Sequence, residues 1–256
     1  MKTTFEFSAN TGFLYPELSF IERIYAAHKD GYDAVEFHDE AQSVDLSKLK
    51  TCLNDTDLPV VGLNIRMGAT AGCAAMAEQH DQAMRDIDAA IEMADATGAG
   101  AIHVLAGKTQ AADAHDTFAT SLAYALDQTD CVILIEPLCQ EKMPGYFLRT
   151  VEQAARILDE VGNTRLQILF DCFHVRAEHG SVLETYERYS NMVGHIQIAS
   201  YPDRSEPESG QAAALDYAEL LTAFRRAGYS GLFGCEYTAK SVHAERLDWR
   251  IALGGK

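Results

Sequence analysis

The sequence predicts an α/β chain closed into a (β/α)8 TIM barrel, a single domain over residues 1–256, and three observations predict it. Short apolar runs alternate with longer segments of helical period from one end of the chain to the other. The alternation recurs about eight times, the number of strand–helix units that closes such a barrel. A glycine follows closely on several of the helical segments, where a left-handed capping residue is wanted before the next strand. An open doubly wound sheet is the architecture that the same alternation would otherwise admit.

Thr3 to Phe7 reads as the opening strand. The others are Ala34 to Phe37, Pro59 to Ile65, Ala101 to Leu105, Cys131 to Ile135, Leu166 to Phe170, His195 to Ile198 and Gly231 to Cys235. Several of these runs are continuously apolar, as expected of parallel strands covered on both faces. Between them, Ser19 to Lys29 aligns Ile21, Ile24, Tyr25 and His28 along one side, and Gln79 to Ala96 aligns Ala83, Ile87, Ala90, Ile91 and Ala94. Val151 to Val161 and Asp216 to Ala227 are shorter versions of the same period. Gly31, Gly98, Gly162 and Gly228 stand at the ends of helical patterns, and only Ser241 to Arg250 remain for a last helix. Pro202 to Gly210 reads as a long loop on the active face, and no linker or shift in composition divides the chain.

With 256 residues, 47% of them hydrophobic, the chain can bury a large core without disulfides. Its formal net charge of −17 opposes binding to phosphate backbones and anionic lipid, so neither nucleic acid nor membrane is an expected partner. An anionic substrate would need a local cation to offset that field. None of the six cysteines forms a CxxC pair, which fits reduced thiols packed as small hydrophobes. The first residues lack the basic region and apolar stretch of a secretory signal, and no run approaches the roughly 20 apolar residues of a membrane span. The expectation is a cytoplasmic protein, with a homo-oligomer left open.

Barrels of this kind carry their sites at the C-terminal ends of the strands. Asn10 lies beyond the first strand, Glu36 and His38 end the second, Asn64 and Arg66 follow the third, and His103 lies in the fourth. Glu136 closes Cys131-Val-Ile-Leu-Ile-Glu136 and Asp171 closes Leu166-Gln-Ile-Leu-Phe-Asp171. Gln197 lies in His195-Ile-Gln-Ile198 and Glu236 closes Gly231-Leu-Phe-Gly-Cys-Glu236. Four successive strands thus deliver three carboxylates and an amide to one mouth. Unpaired carboxylates brought together and buried would repel strongly, and a divalent cation resolves the conflict. Oxygen ligands suit Mg²⁺ or Mn²⁺ better than zinc. A single strand-ending Asp or Glu would more simply cap the next helix or pair with an Arg, but Pro137 leaves no helix for Glu136 to cap. His174, three residues after Asp171, could donate a hydrogen bond to a substrate oxygen or ligate metal. His103, Asn64 and Lys108 are further candidates on the substrate side. Arg204, in the loop after the seventh strand, could grip a substrate carboxylate in a bidentate pair, the plainer reading being a solvated surface Arg.

At these residues the sequence resembles the xylose-isomerase-like barrel superfamily, and within it the hydroxypyruvate isomerase group. The likeness runs through Ala34-Val-Glu36-Phe, His103-Val-Leu-Ala-Gly107, Ile135-Glu136-Pro-Leu138, Met143-Pro-Gly-Tyr-Phe-Leu148, Phe170-Asp171-Cys-Phe-His174, Gly194-His-Ile-Gln197-Ile-Ala199 and Gly234-Cys-Glu236-Tyr237. It implies that Glu136 and Glu236 are an acid/base pair that also contacts metal, that Asp171 and Gln197 complete the ligand set, and that His174 and Arg204 hold substrate. The implied reaction interconverts hydroxypyruvate and 2-hydroxy-3-oxopropanoate by proton transfer through an enediolate. A 2-oxo-tetronate isomerase, or an enzyme of the ketose 3-epimerase or inosose type, is the alternative on the same chemistry. A non-catalytic sugar- or metal-binding barrel is the more distant one. The chain departs from the family's pattern in Arg66-Met-Gly-Ala-Thr-Ala-Gly72, in Asn10-Thr-Gly-Phe-Leu-Tyr15 and at Gly210-Gln211, all on the presumed substrate side. An abasic-site endonuclease shares the barrel, but would need more histidine ligands and a basic surface.

Overall fold

A computed structural model describes residues 5–210, 213–240 and 248–255. Eight strands close in chain order into one all-parallel barrel: β1 (Phe7–Asn10), β2 (Ala34–Phe37), β3 (Val60–Asn64), β4 (Ala101–His103), β5 (Val132–Ile135), β6 (Leu166–Asp171), β7 (Val193–Ile198) and β8 (Phe233–Cys235). The last strand pairs back onto the first, with Ser8 beside Gly234. Each parallel step needs a crossover, supplied by α1 (Phe20–Lys29), α2 (Leu46–Thr56), α3 (His80–Thr97), α4 (Ala114–Gln128), α5 (Val151–Val161), the pair α6 (Cys172–His179) and α7 (Val182–Tyr189), and α8 (Tyr217–Arg226). A short α9 (Asp248–Leu253) follows β8.

Helix α5 shows why these segments fold as they do. Val151, Ala154, Ala155, Ile157 and Leu158 fall on one face and are buried, and covering a residue such as Ile157 contributes about 1.5–3 kcal/mol. The Thr150 hydroxyl accepts from Gln153 N at its start, and Gly162, at φ 66°, ends it in the left-handed conformation that glycine adopts without steric cost. Gly98 ends α3 in the same way. Aromatic rings fill the space between sheet and helices, with Phe170 against Tyr186 and Phe224. Inside the barrel, Ala101, Leu134 and Leu169 form a separate apolar plug.

Strand residues alternate between the helix face and the barrel interior. Leu134, Leu169, His195 and Gly234 therefore point inward, and two positions on, so do Glu136, Asp171, Gln197 and Glu236. This register seats the functional groups directly above the plug.

Two expectations need correction. The first strand is Phe7–Asn10, beyond the anticipated Thr3 to Phe7, of which Thr3 and Thr4 lie outside the described residues. Ser8 and Asn10 are polar but buried, so the strand lacks the apolar run by which the others are recognised. Most of the anticipated last helix, 241–247, also lies outside the described residues, and α9 begins at Asp248.

Candidate active site

Each strand end from β5 to β8 delivers a buried polar side chain. Glu136 follows β5 directly, and its Oε1 is buried with no hydrogen-bond partner. Asp171 ends β6 and caps α6, its Oδ1 accepting Phe173 N at 2.7 Å and His174 N at 3.1 Å. Gln197 pairs with Asp171 across the β6–β7 ladder, and its Oε1 is likewise buried and unpartnered. Glu236 follows β8 and accepts from the His38 ring at 3.2 Å through Oε1. Glu136, Asp171 and His174 offer ligand atoms all within 4.8 Å of one another.

Arg204 reaches into this group from the β7–α8 loop. Its Nη2 donates to Asp171 Oδ2 at 2.9 Å and to Glu236 Oε2 at 3.0 Å. Phe13 and Phe173 lie at 4.6 and 5.2 Å from its guanidinium carbon and flank the group with ring faces. Its backbone takes φ 53°, a left-handed conformation that costs a residue other than glycine about 1–2 kcal/mol. Packing and ion pairing offset that strain.

One guanidinium cannot neutralise three buried carboxyls. Burial raises the pKa of Glu136 far above the ordinary carboxylate range, and the charges of Glu236 and Asp171 raise it further. Burial pushes Asp171 up to about 7 against the pull of Arg204. Burial would raise Glu236 too, but Arg204 and the His38 hydrogen bond hold it down at about 2. Asp171 and Glu236 share one cation: at Glu236, Arg204 and His38 together outweigh burial, whereas at Asp171 burial outweighs Arg204 and the two backbone N–H groups.

His174 and His103 are neutral, whereas at His38 the effect of burial is outweighed by the hydrogen bond and charge of Glu236, which raise it. Burial lowers His174 to about 3 with help from Arg204, and burial lowers His103 to about 3. His174 Nδ1 lies 3.2 Å from both the Cys139 backbone N–H and Cys139 Sγ, so its one ring proton sits either on Nδ1, toward the sulfur, or on the outer nitrogen, Nε2. That atom faces Arg204 Nη1 at 3.2 Å. Arg204 can only donate, and its guanidinium and this ring nitrogen together face the side on which a ligand oxygen would sit.

Most residues singled out in the sequence converge here. His103 and Asn64 meet each other, with Nδ1 and Oδ1 3.1 Å apart, and His103 Nε2 lies 3.9 Å from Glu136 Oε2. Lys108 does not join them: its backbone pairs with Tyr146, and no hydrogen bond or ion pair found among the described residues ties its side chain to the carboxylates. Arg66 is exposed, and Asn10 accepts from Gly12 N in a local turn. Sequence reasoning placed His38 at the end of the second strand but gave it no role, and it gave none to Phe13 or Phe173.

The donor set fits a divalent cation. Two orphaned buried oxygens on Glu136 and Gln197, beside carboxyls that raise one another's pKa, are what an oxygen-ligated Mg²⁺ or Mn²⁺ would satisfy. Fold and site together define an α/β barrel with an oxygen-rich polar centre at its C-terminal mouth. The chain belongs to the xylose isomerase-like TIM barrel family, whose model matches residues 24–253. It is 34% identical to a 2-oxo-tetronate isomerase of Cupriavidus necator, covering 95% of this chain and 96% of that protein. It is 32% identical to the hydroxypyruvate isomerase of Escherichia coli, covering 95% and 97%. A solved structure from Brucella melitensis titled AP endonuclease, family 2, superposes with a TM-score of 0.91 at 28% identity, covering 96% and 98%.

Proposed function

We propose that this protein is a metal-assisted isomerase that interconverts hydroxypyruvate and 2-hydroxy-3-oxopropanoate. The observation that carries the reading is the convergence of Glu136, Asp171, Gln197 and Glu236 at the ends of four adjacent strands, with two oxygens unsatisfied. These four residues would hold Mg²⁺ or Mn²⁺, which when bound supplies Lewis acidity to substrate oxygens. His174 would meet substrate through its outward nitrogen, Nε2, beside the Arg204 guanidinium. Arg204 and His174 together would grip a substrate oxygen, and the guanidinium supplies the local cation that an anionic substrate requires in so acidic a protein.

Glu136 and Glu236 stand at the two ends of the β5–β8 arc. One takes the proton from C3 of hydroxypyruvate, leaving an enediolate, and the other returns a proton to C2. The hydroxyl proton passes from O3 to O2, so the product is the aldehyde isomer with no change in composition. Phe13 and Phe173 flank the Arg204 guanidinium and would limit water around it.

A 2-oxo-tetronate is the second substrate reading, favoured by the 34% identity to the enzyme of that name. The Brucella structure's title does not redirect the proposal, since a chain of net charge −17 is poorly suited to a DNA surface. Incubating the Mn²⁺-loaded protein in D₂O with hydroxypyruvate, and separately with a 2-oxo-tetronate, tests the reading. Deuterium should enter carbon-bound positions of one of them, with conversion to the aldehyde isomer. Absence of exchange and of turnover in both would contradict it.

A further inference from the structure

We infer that Glu36 is a positioning residue that fixes the amide of Gln197, oxygen toward the proposed cation and NH₂ away from it. The inference rests on reading the β5–β8 arc as a cation site and concerns the layer beneath that arc. An amide can present either end, and only its oxygen can bind a cation. Gln197 Nε2 lies 3.4 Å from Glu36 Oε1, and a carboxylate oxygen there has no proton to offer. The NH₂ group must face Glu36, which leaves Gln197 Oε1, buried and without a partner, on the other side.

Glu36 is itself held. His195 Nε2 donates to its Oε2 at 2.7 Å, and the far nitrogen of that ring lies 3.4 Å from the Tyr229 hydroxyl. Tyr229 donates to Leu232 O at 2.6 Å and accepts from Ile196 N at 3.2 Å, so the chain of contacts ends in backbone. The neighbouring strand leaves room for it. A Cβ on Gly234 would collide with Glu36 Oε1 and come within 2.8 Å of both Gln197 Cγ and His195 Nε2. Glycine at 234 is therefore needed for space. Glu36 and His195 are both nearly fully buried, so an acid is placed in the barrel interior with a specific partner on each oxygen. Partners of this kind beneath a metal ligand typically change affinity about 10- to 100-fold when removed.

The test is a double-mutant cycle on direct Mn²⁺ binding, read from the electron paramagnetic resonance of the free ion. Glu36→Met should raise the Mn²⁺ dissociation constant about tenfold or more in the otherwise unchanged protein. In a Gln197→Ala background, where no amide remains to orient, Glu36→Met should cost nothing further. Equal losses in both backgrounds, or none in either, would overturn the inference. Should Glu36→Met fail to fold by circular dichroism, Glu36→Gln carries the same comparison, because an amide at 36 does not dictate which end of Gln197 faces it. Unmodified protein that binds no Mn²⁺ at millimolar concentration would overturn the cation reading itself, an outcome distinct from normal binding that is insensitive to Glu36.

Discussion

On the β5–β8 side of the barrel mouth, Glu136 and Gln197 each keep a buried oxygen without a partner, and two of the three carboxyls share one guanidinium. On the β2–β4 side more of the polar groups are matched: Asn64 meets His103, Glu36 meets His195 of β7, and Gln42 donates to Asn64 O at 2.9 Å, while His103 Nε2, which faces Glu136, is buried without a hydrogen-bond partner. Both halves use the same kind of strand end. The better-matched half has fewer reasons to bind anything, whereas the half holding the crowded carboxyls is costly until a ligand arrives. Frustration of this sort marks the chemistry, and the matched half holds it in place.

The largest effects should come from the frustrated side. Glu136→Gln and Glu236→Gln should each lower kcat by about 10²–10⁴-fold, the usual weight of one acid or base, with the circular dichroism spectrum unchanged. Retention of full turnover in either would remove the pair from catalysis. Next, Arg204→Met strands Asp171 and Glu236 without their shared cation. In metal-free buffer it should destabilise the fold by about 3–5 kcal/mol in chemical denaturation, and added Mn²⁺ should restore most of the loss.

Proton linkage sharpens the contrast. Asp171 titrates near 7 in the folded protein against 3.8 ordinarily, so between those values the folded state binds more protons than the unfolded one. Through Asp171 stability of the metal-free protein falls as pH rises from about 4 to 7, and the upward shift of Glu136 acts in the same direction, whereas His174 and His103, lowered by burial to about 3 from 6.5, add stability as pH rises through that window. Glu236, held at about 2 against 4.5, acts oppositely, contributing stability above its ordinary value that is lost as pH drops toward 2. Thermal unfolding of the metal-free protein between about pH 4 and 7 should show the unmodified chain losing stability toward neutral pH relative to Asp171→Asn, and parallel curves would contradict the shift.

Smaller effects belong to the matched half. Asn64→Leu deprives the His103 ring of its buried partner and should cost about 1–3 kcal/mol, measured by denaturation. Lys108→Ala should change stability by no more than about 0.5 kcal/mol and leave KM unaltered, in contrast to the substrate role its place in the sequence suggested.

The sequence made the frustrated half legible because Glu136, Asp171 and Glu236 each interrupt or end an apolar run, and such punctuation is visible without coordinates. The eightfold alternation was legible for the same reason, since strands covered on both faces must be apolar throughout. β1 was displaced because Ser8 and Asn10 spend its inward positions on polar groups. Helices α2, α4, α6 and α7 went without individual assignment, lacking the clean stripe of α5. The layer under the site stayed hidden, since nothing in a linear reading shows that Glu36 touches Gln197, 161 positions away. The need for glycine at 234 is equally invisible until a Cβ is placed there.

The central claim is that four strand-end residues share one cation. Crystals grown with Mn²⁺ and measured at the manganese absorption edge test it most directly. The account predicts one strong anomalous peak within about 2.0–2.4 Å of oxygens from Glu136, Asp171, Gln197 and Glu236, with the Arg204 guanidinium no longer bridging Asp171 and Glu236. A peak elsewhere, or none at that mouth with Arg204 still bridging the two carboxylates, would contradict it.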